Sequence, residues 1–587
     1  MNIGDFIIKN NQDSVTCNLE ISSVNNVDYV DVKIECREAT VINALEIEFY
    51  VPINDFQYLW TPNNATGKNL TVDWYGDSCV KQTISAPVMV FFDNVENSRF
   101  SFAFSDAIEP FYLNFGVEEE TGRIKCRVVL FKENTKKIES YLGKFRINLS
   151  KSAFNEEINN ISKWYENMEE YTPMEVPESA YDPVYSTWYS FHQRLSQDEI
   201  EEQCRIGADL GLKTLIVDDG WQTDDTNRGY AFTGDWELCE KKFPSFKEHV
   251  KRVQDMGVKY MVWYSIPFMG INSKMWDKFS EKIISYDETL KVAVLDVRYV
   301  EVRNYIVNVY KKALIEWGID GFKLDFIDMF NMHNATTKAL TPDNARQTES
   351  LADAVNNLLD EIKEALITIK PDILIEFRQR YIGPSMRSYG NIFRVSDCPY
   401  NVLRNRVGVV DLRLLSGNTA VHSDMLMWSK DECVESAALQ LINVLFSVPQ
   451  YSLDLSCISQ EHYKMSKFYL KLWNEHKNIF AKGKINPVAP QLSYPVIYGE
   501  YENELAVTVH GDYIVKLDNS QFNYMVMVNG TMLERIIVDL EEEFHGQLTI
   551  YNCLGEIVES KMCTLPKGLQ EVTVPKSGTV ILNSKNS

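Results

Sequence analysis

Residues 317–326 read Trp317-Gly318-Ile319-Asp320-Gly321-Phe322-Lys323-Leu324-Asp325-Phe326. This order predicts a helix that ends at a glycine, followed by a short buried strand that ends at Asp325. Since alternate side chains of a strand point to the same face, Lys323 and Asp325 should lie side by side. A lysine beside an inward carboxylate keeps it ionised, as a nucleophile requires, although a purely structural ion pair fits the same pattern.

Short apolar strands alternate with helical segments on both sides of this stretch. We predict eight strands, at residues 185–191, 214–217, 260–265, 321–325, 373–376, 392–395, 420–423 and 447–453. Long amphipathic segments such as residues 350–369 separate them, which is typical of βα units on a parallel sheet. Eight such units over about 300 residues predict a (β/α)8 TIM barrel rather than an open sheet.

The two ends of the chain show an all-β pattern instead. Residues 29–35 and 45–49 alternate polar and apolar side chains, and residues 504–509 and 547–551 are candidate strands. The predicted fold class is therefore multidomain, with a central catalytic barrel at residues 180–482. An N-terminal β-sandwich at residues 1–165 and a C-terminal antiparallel β domain, a small sandwich, at residues 486–587 flank it.

Polar side chains recur where the predicted barrel strands end. They are Asp218, Asp219, Asp325, Arg378, Asp397 and Asp424, with Trp188, Tyr264 and His422 at the same rim. The C-terminal rim of the strands is where active sites of this barrel lie. His422 has no His or Cys partner at metal spacing, and the chain has no glycine-rich phosphate loop. We therefore expect an active site at this rim that uses no metal and no cofactor.

Composition limits the partners. The formal net charge of −24 over 587 residues argues against nucleic acid and anionic membrane surfaces as partners. The chain has no apolar run long enough to cross a bilayer, and Met1 to Phe6 carries no secretory signal, so we expect a cytoplasmic protein. The eleven cysteines form no Cys-x-x-Cys pair, which favours reduced thiols. A homo-oligomer is compatible with the sequence.

Further motifs accompany Lys323-Leu324-Asp325. They are Val217-Asp218-Asp219-Gly220-Trp221, Gly234-Asp235-Trp236, Lys242-Phe243-Pro244, Leu295-Asp296-Val297 and Val302-Arg303. In order and approximate spacing, the set resembles glycoside hydrolase family 36, the α-galactosidases. The resemblance implies that Asp325 is the nucleophile, that Asp218 and Asp219 hydrogen-bond O4 and O6 of galactose, and that Trp221 walls the sugar. Taken alone, the two aspartates also fit a helix N-cap, and Trp221 fits a core residue.

The second carboxylate stands in less typical surroundings. The family places its acid/base in a Ser-Asp after the sixth strand, which assigns that role to Asp397, but Cys398-Pro399-Tyr400-Asn401 follows here. The family's Cys-x-Ser-Gly-Gly-Gly-Arg loop after the fifth strand is replaced by Glu376-Phe377-Arg378-Gln379-Arg380-Tyr381-Ile382-Gly383. We expect burial and Asp325 to raise the pKa of Asp397, and Arg394 to hold a substrate hydroxyl or another carboxylate. Glu376 is either a packing residue or orients Arg394 or a sugar hydroxyl.

The resemblance implies a retaining hydrolase that removes terminal non-reducing α-galactosyl residues from oligosaccharides or glycoconjugates. The residues expected to bind substrate are Trp188, Asp218, Asp219, Trp221, Tyr264, Lys323, Glu376, Arg378, Arg394 and Asp424. Three alternatives stay open. The altered loop after the fifth strand would suit an α-N-acetylgalactosaminidase, a sugar instead of water would make a transglycosylase, and loss of the chemistry would leave a non-catalytic galactoside-binding protein.

Overall fold

The computed structural model describes residues 5–63 and 67–584. The first four and last three residues of the predicted flanking domains lie outside the described residues, as does most of the N-terminal stretch used to argue against a secretory signal. Within the described ranges, no helix is both long enough and apolar enough to span a membrane.

The centre of the chain is an eight-stranded parallel barrel. Its strands are β1 Val184–Ser186, β2 Thr214–Val217, β3 Lys259–Ser265, β4 Gly321–Asp325, β5 Leu374–Arg378, β6 Ile392–Arg394, β7 Ala420–His422 and β8 Gln450–Tyr451. They pair in chain order, and β8 pairs with β1. Isolated bridges from His422 to Val448 and from Leu426 to Tyr451 nearly close the gap between β7 and β8. The predicted TIM barrel is confirmed.

Helices cover the outside of the barrel. The longer ones are α1 Gln197–Leu210, α2 Phe246–Asp255, α3 Val300–Trp317, α4 Leu351–Ile369, α5 Val402–Leu415, α6 Val434–Ile442 and α7 Gln460–Glu475. Helix α3 ends at Gly318, whose φ of 69° is the left-handed conformation that a glycine adopts without strain. The described chain from β5 to β6 contains only a 3₁₀ turn, Pro384–Ser388, in place of a helix. A small sheet of Phe268–Gly270, Ile283–Asp287 and Val292–Leu295 follows β3.

Two predicted strands were too long at the ends of the barrel sequence. The first, predicted at 185–191, stops at Ser186 and continues as a short helix, Trp188–Phe191. The hydroxyl of Ser452 accepts the amide N–H groups of Tyr189 and Ser190, which turns the chain at the rim. The last, predicted at 447–453, is reduced to Gln450–Tyr451.

Two antiparallel sheets form the N-terminal sandwich. One contains Ile7–Lys9, Leu45–Pro52, Ser78–Val80, Phe111–Glu118 and Arg123–Leu130; the other contains Val15–Val24, Val27–Val41, Tyr58–Trp60, Val88–Phe92, Asn97–Phe104, Lys137–Asn148 and Ser152–Ala153. Buried phenylalanines such as Phe49, Phe102 and Phe115 join the sheets in one aromatic core. A helix, Phe154–Glu166, leads from this sandwich toward the barrel and packs on α5.

The C-terminal domain is also built from two sheets. The larger contains Lys484–Val488, Val496–Tyr501, Glu504–Val509, Tyr524–Asn529, Phe544–Tyr551, Ile557–Leu565 and Thr579–Asn583, and the smaller contains Ile514–Leu517, Arg535–Leu540 and Gly568–Thr573. Pairing is antiparallel except between 504–509 and 524–529 and between 514–517 and 535–540. In both places the chain passes through a strand of the other sheet before it returns to the first sheet. The returning strand therefore runs parallel to the strand that the chain left.

One buried carboxylate ties the three parts of the chain together. Asp411 of α5 is 2% exposed and accepts hydrogen bonds from Trp60 Nε1 at 2.7 Å and from Tyr494 OH at 2.5 Å. It also forms an ion pair of 2.8 Å with Lys68 Nζ. Trp60 and Lys68 come from the N-terminal part, and Tyr494 comes from the C-terminal part. The carboxylate is therefore well satisfied although it is removed from water.

Candidate active site

Asp325 lies at the end of β4 with both carboxylate oxygens in hydrogen bonds. Oδ1 accepts from Arg378 Nε at 2.6 Å, from the Phe326 amide at 2.7 Å and from Tyr381 OH at 3.1 Å. Oδ2 accepts from Trp263 Nε1 at 3.0 Å. The carboxylate is thus fixed in orientation, and Oδ2 carries fewer hydrogen bonds than Oδ1.

Cations keep Asp325 ionised. Burial raises the pKa of Asp325, but the charges of Arg378 and Lys323 and the Trp263 hydrogen bond outweigh it, so the pKa lies below its ordinary value. Lys323 helps to keep Asp325 ionised, as expected, but it is not the ion-pair partner of Asp325. Arg378 forms the ion pair with Asp325, whereas Lys323 Nζ contacts Asp218 Oδ2 at 2.6 Å. Lys323 still faces the mouth with Asp325, as the period of the strand requires.

The two aspartates after β2 are both buried beside this centre. Asp219 accepts from Gln193 Nε2 at 2.6 Å and from Gln222 Nε2 at 2.7 Å. Burial, aided by Asp218, raises the pKa of Asp219 to about 6, although these hydrogen bonds lower it. Neither residue caps a helix, because no helix of the described chain begins after β2 until Phe246.

Two aromatic assignments need correction. Trp221 is fully buried against Trp236, Tyr264 and Trp317, and its indole donates to the Trp263 carbonyl, so it is a core residue that does not wall a sugar. Tyr264 is also fully buried and packs against Tyr310 of α3, outside the barrel mouth. Its position on β3 explains this, because Tyr264 pairs with Leu324, whose side chain faces away from the mouth.

The aromatic residue of β3 that contacts Asp325 is Trp263, the neighbour of Tyr264, and it is itself fully buried. It pairs in register with Lys323 and donates to Asp325. Tyr230 stacks on it with ring centroids 6.3 Å apart. Burial raises the pKa of Tyr230, and the nearby charges of Asp219 and Asp325 raise it further. The alternation of side chains along β3 could have identified Trp263, whereas Tyr230, Tyr381 and Gln193 lie on loops without such a signal.

Asp397 follows β6, two strands along the barrel from Asp325, and lies in a different environment. Its side chain is 51% exposed and forms an ion pair with Arg394, Nη2 to Oδ1 at 2.8 Å. Burial raises the pKa of Asp397, but Arg394 and Lys323 outweigh it and hold the pKa below its ordinary value. The expected elevation was wrong because Arg394 contacts Asp397 directly.

Arg394 is a buried hub for carboxylates, as one of the two expectations for it stated. Besides Asp397 it contacts Asp424 through Nη1, and its Nε lies 3.6 Å from Glu376 Oε1. Asp424 also accepts from Tyr189 OH at 3.0 Å and from the Cys398 amide at 2.6 Å. Glu376 accepts from Gln450 Nε2 at 2.5 Å. Burial raises the pKa of both Glu376 and Asp424, and Arg394 lowers it in each.

The remaining predicted rim residues lie as follows. Trp188 is partly exposed on the short helix after β1, edge-on to His192, with Arg228 over its ring at 5.6 Å. His422 is buried on β7 between the Ala180 carbonyl and Gln450, and burial lowers its pKa to about 4. Among the described residues, no group of three or more His, Cys, Asp or Glu side chains could hold a metal ion.

Comparison with known proteins gives a consistent result. The family model described as Melibiase matches residues 152–483. Alpha-galactosidase 1 of Pediococcus pentosaceus is 27% identical over 199 residues, 32% of this chain and 26% of that protein. The A type blood alpha-D-galactosamine galactosaminidase of Flavonifractor plautii is 22% identical over 204 residues, 30% of this chain and 17% of that protein. The aligned segments therefore span about a quarter or less of these curated relatives.

Among solved structures, a variant of the GH36 alpha-galactosidase AgaA from Geobacillus stearothermophilus in complex with raffinose superposes with a TM-score of 0.66. The match is 13% identical in sequence and covers 97% of this chain and 81% of that one. At this identity the likeness concerns the fold, including the order of sandwich, barrel and C-terminal sheets.

Proposed function

This chain belongs to the melibiase family, which confirms the resemblance drawn from its motifs, and we propose that it is a retaining α-galactosidase with Asp325 as nucleophile and Asp397 as acid/base. The observation that carries the proposal is the setting of Asp325. A buried carboxylate held ionised by Arg378 and Lys323 has the charge that attack on an anomeric carbon requires. It stands beside the paired carboxylates Asp218 and Asp219.

In the first step, an Asp325 oxygen attacks C1 of the galactosyl group while Asp397 protonates the departing glycosidic oxygen. Oδ2 is the better placed oxygen, because its hydrogen bond comes from Trp263 alone, whereas Oδ1 already accepts three. The C1–O bond of the substrate breaks, a C1–Oδ bond to Asp325 forms, and the leaving alcohol takes the proton.

In the second step, Asp397 acts as a base. It removes a proton from a water molecule, whose oxygen attacks C1 and releases the carboxylate of Asp325. The half-exposed position of Asp397 supports this role, since both water and a leaving sugar can approach it from the open side. The product keeps the α configuration, because two inversions follow each other.

Recognition of the sugar rests on the buried aspartates. Carboxylates accept hydrogen bonds from adjacent hydroxyls, so Asp218 and Asp219 suit O4 and O6 of galactose. Tyr230, which is partly exposed and stacks on the buried Trp263, offers the aromatic surface that the sequence analysis assigned to Trp221. We propose α-galactosyl oligosaccharides as the substrate class, of which raffinose, bound in the superposed structure, is an example.

An α-N-acetylgalactosaminidase is the second candidate, because the Flavonifractor plautii relative carries a galactosaminidase name. The loop after β5 argues for the galactosidase. Arg378 at the end of β5 and Tyr381 in this loop both point toward Asp325, which fills the mouth on that side rather than opening it for an acetamido group.

The test is a panel of nitrophenyl glycosides with raffinose beside them. We expect release of nitrophenol from the α-galactoside, little from the α-N-acetylgalactosaminide, and none from the β-galactoside. NMR of the first product should show α-galactose. Preference for the α-N-acetylgalactosaminide would favour the second candidate, a first product in the β configuration would exclude retention, and tight galactose binding without turnover would leave the binding-protein alternative.

A further inference from the structure

Arg394 faces more carboxylates than one cation can neutralise. Its guanidinium is 1% exposed and touches Asp397 and Asp424, with Glu376 at 3.6 Å. Glu376 and Asp424 are fully buried, so a second negative charge there is costly unless another cation meets it. The charged and titratable groups that face this cluster from the surrounding elements are Tyr189, Asp218, Lys323, Asp325, Arg378, Cys398 and His422.

A count of charges shows which carboxylates can be ionised together. Among the described residues of the mouth, the cations in contact with these carboxylates are Lys323, Arg378 and Arg394. Lys323 is taken by Asp218 and Arg378 by Asp325. Arg394 is the cation that touches Asp397 and Asp424 and lies nearest Glu376, whereas Lys323 acts on Asp397 and Glu376 through its charge alone. Two cations, one of them already paired with Asp218, face three carboxyl groups here, so this part of the mouth holds at least one proton on a carboxyl group.

Resting on the proposed function, we propose that Asp424 is a positioning residue for the acid/base, with which it shares one proton across Arg394. In the structure Arg394 contacts both carboxyl groups at once. In the free site we assign the ionised form to Asp397 and the proton to Asp424. When a substrate occupies the mouth, the O–H bond on Asp424 breaks, an O–H bond forms on Asp397, and Arg394 pairs with Asp424. The O–H electron pair stays on the Asp424 oxygen, a lone pair of Asp397 forms the new bond, and neither the total charge nor any oxidation state changes.

This exchange resolves the conflict at Asp397. The first step of the reaction needs a protonated acid, yet the ion pair with Arg394 favours the ionised form. Once Asp424 is ionised, Arg394, which already contacts it, neutralises Asp424 instead of Asp397, and Tyr189 OH and the Cys398 amide stabilise that charge. After the first step Asp397 must be a base, and the original pairing with Arg394 suits it again.

The test is Asp424→Asn, whose side chain is neutral at every pH and leaves Arg394 to Asp397. The pKa of Asp397 in the substrate complex should fall, so the alkaline limb of kcat for raffinose should move down by about 1 pH unit, with about tenfold loss at neutral pH. An aryl α-galactoside with an acidic phenol needs little help from an acid and should lose about twofold at most. Combined with Asp397→Ala, the substitution should add no further loss.

Tyr189→Phe is a second variant, chosen because Asp424 is fully buried and its replacement could disturb folding. It removes a hydrogen bond to ionised Asp424, which favours the proton on Asp424. The same limb should therefore move in the same direction by a smaller amount, about threefold in raffinose rate. Circular dichroism of both variants checks that they are folded.

Three outcomes would contradict the inference. An unshifted alkaline limb in both folded variants, or equal loss on raffinose and the aryl galactoside, means that Asp424 has only a structural role. Rescue of Asp424→Ala by azide, with α-galactosyl azide as product, would make Asp424 the acid/base itself. If the parent chain is inactive on both α-galactosides, the proposed function itself is refuted. That result is distinct from a failure of the inference about Asp424, which requires an active parent chain.

Discussion

Asp325 and Asp397 are two aspartates of one barrel mouth in opposite settings. Asp325 has a side chain 10% exposed, and donors from β3, β5 and the loop beyond it surround its two oxygens. Asp397 has a side chain 51% exposed and a single ion-pair partner, which it shares with Asp424. The fold thus presets the charge of the proposed nucleophile, while the protonation of the proposed acid/base stays adjustable.

The difference follows from the demands of a two-step reaction. A nucleophile uses the same ionised form whenever it attacks, so a rigid set of donors serves it throughout. An acid/base must be protonated in one step and ionised in the next. A shared guanidinium at a half-open position allows that change, whereas four fixed hydrogen bonds would prevent it.

Removing the charge of Asp325, which the fold keeps ionised, should have the largest effect on activity. Asp325→Asn keeps the shape and loses the charge, so α-galactoside turnover should fall by about 10⁴-fold while galactose binding remains. Nitrophenol release and calorimetric titration with galactose measure the two. Asp328→Asn is the matched control, since Asp328 follows by three positions and pairs with Arg380 at 3.5 Å. Near-parental activity in Asp325→Asn would exclude the assignment.

Asp397→Ala should affect different substrates unequally, which distinguishes the role of Asp397 from that of Asp325. Raffinose, whose leaving group needs a proton, should lose about 10³-fold, whereas glycosylation by an aryl galactoside with an acidic phenol should be nearly unchanged. The covalent intermediate on Asp325 should accumulate, and mass spectrometry would detect it. Added azide should restore turnover and give α-galactosyl azide. The β-azide would instead point to direct displacement and to an error at Asp325.

The fixed ionisation of Asp325 should also appear in the pH dependence of activity. Arg378 holds the pKa of Asp325 below its ordinary value, so Asp325 stays ionised to low pH. In Arg378→Gln that pKa rises, and the acidic limb of kcat/KM should move to higher pH by about 1 to 2 units. The alkaline limb, which we assign to Asp397, should move much less. A profile in which only the alkaline limb moves would mean that Arg378 acts mainly on Asp397.

The prediction with the smallest expected effect compares substitutions at two adjacent residues of β3. Trp263→Phe loses the hydrogen bond to Asp325 Oδ2, and kcat should fall about tenfold. Tyr264→Phe changes a hydroxyl that is buried with no hydrogen-bond partner among the described residues, outside the mouth. Its activity should match that of the parent chain, with equal or higher thermal stability. Equal losses in both would show that the strand tolerates no change in packing.

The sequence predicted the features that depend on a regular repeat, either of side chains along a strand or of strands and helices along the chain. Alternation along β4 placed Lys323 and Asp325 on one face, and the alternation of strands and helices predicted the barrel. Aromatic side chains were misplaced because a fully buried strand is apolar on both faces, so composition does not tell Trp263 from Tyr264. The partner of Asp325 was missed for another reason. Arg378 and Tyr381 approach it from β5 and the loop beyond, and a contact between separate units leaves no local pattern.

The electrostatics of Asp397 show a further limit. Its place after β6 followed from the sequence, but the direction of its pKa depends on whether Arg394 points toward it or away. Both orientations fit the same residues three positions apart. Only the structure shows that one guanidinium serves Asp397 and Asp424 together.

The buried carboxylate of Asp411 has a consequence for how the molecule comes apart. Separating the N-terminal part from the barrel would break the ion pair with Lys68 and the hydrogen bond from Trp60 in one step. Partial detachment is therefore unfavourable compared with full unfolding. Heating should melt the sandwich, the barrel and the C-terminal sheets in one cooperative transition. A chain that lacks the N-terminal part, including Trp60 and Lys68, should fail to refold, and so should a chain that ends after the barrel.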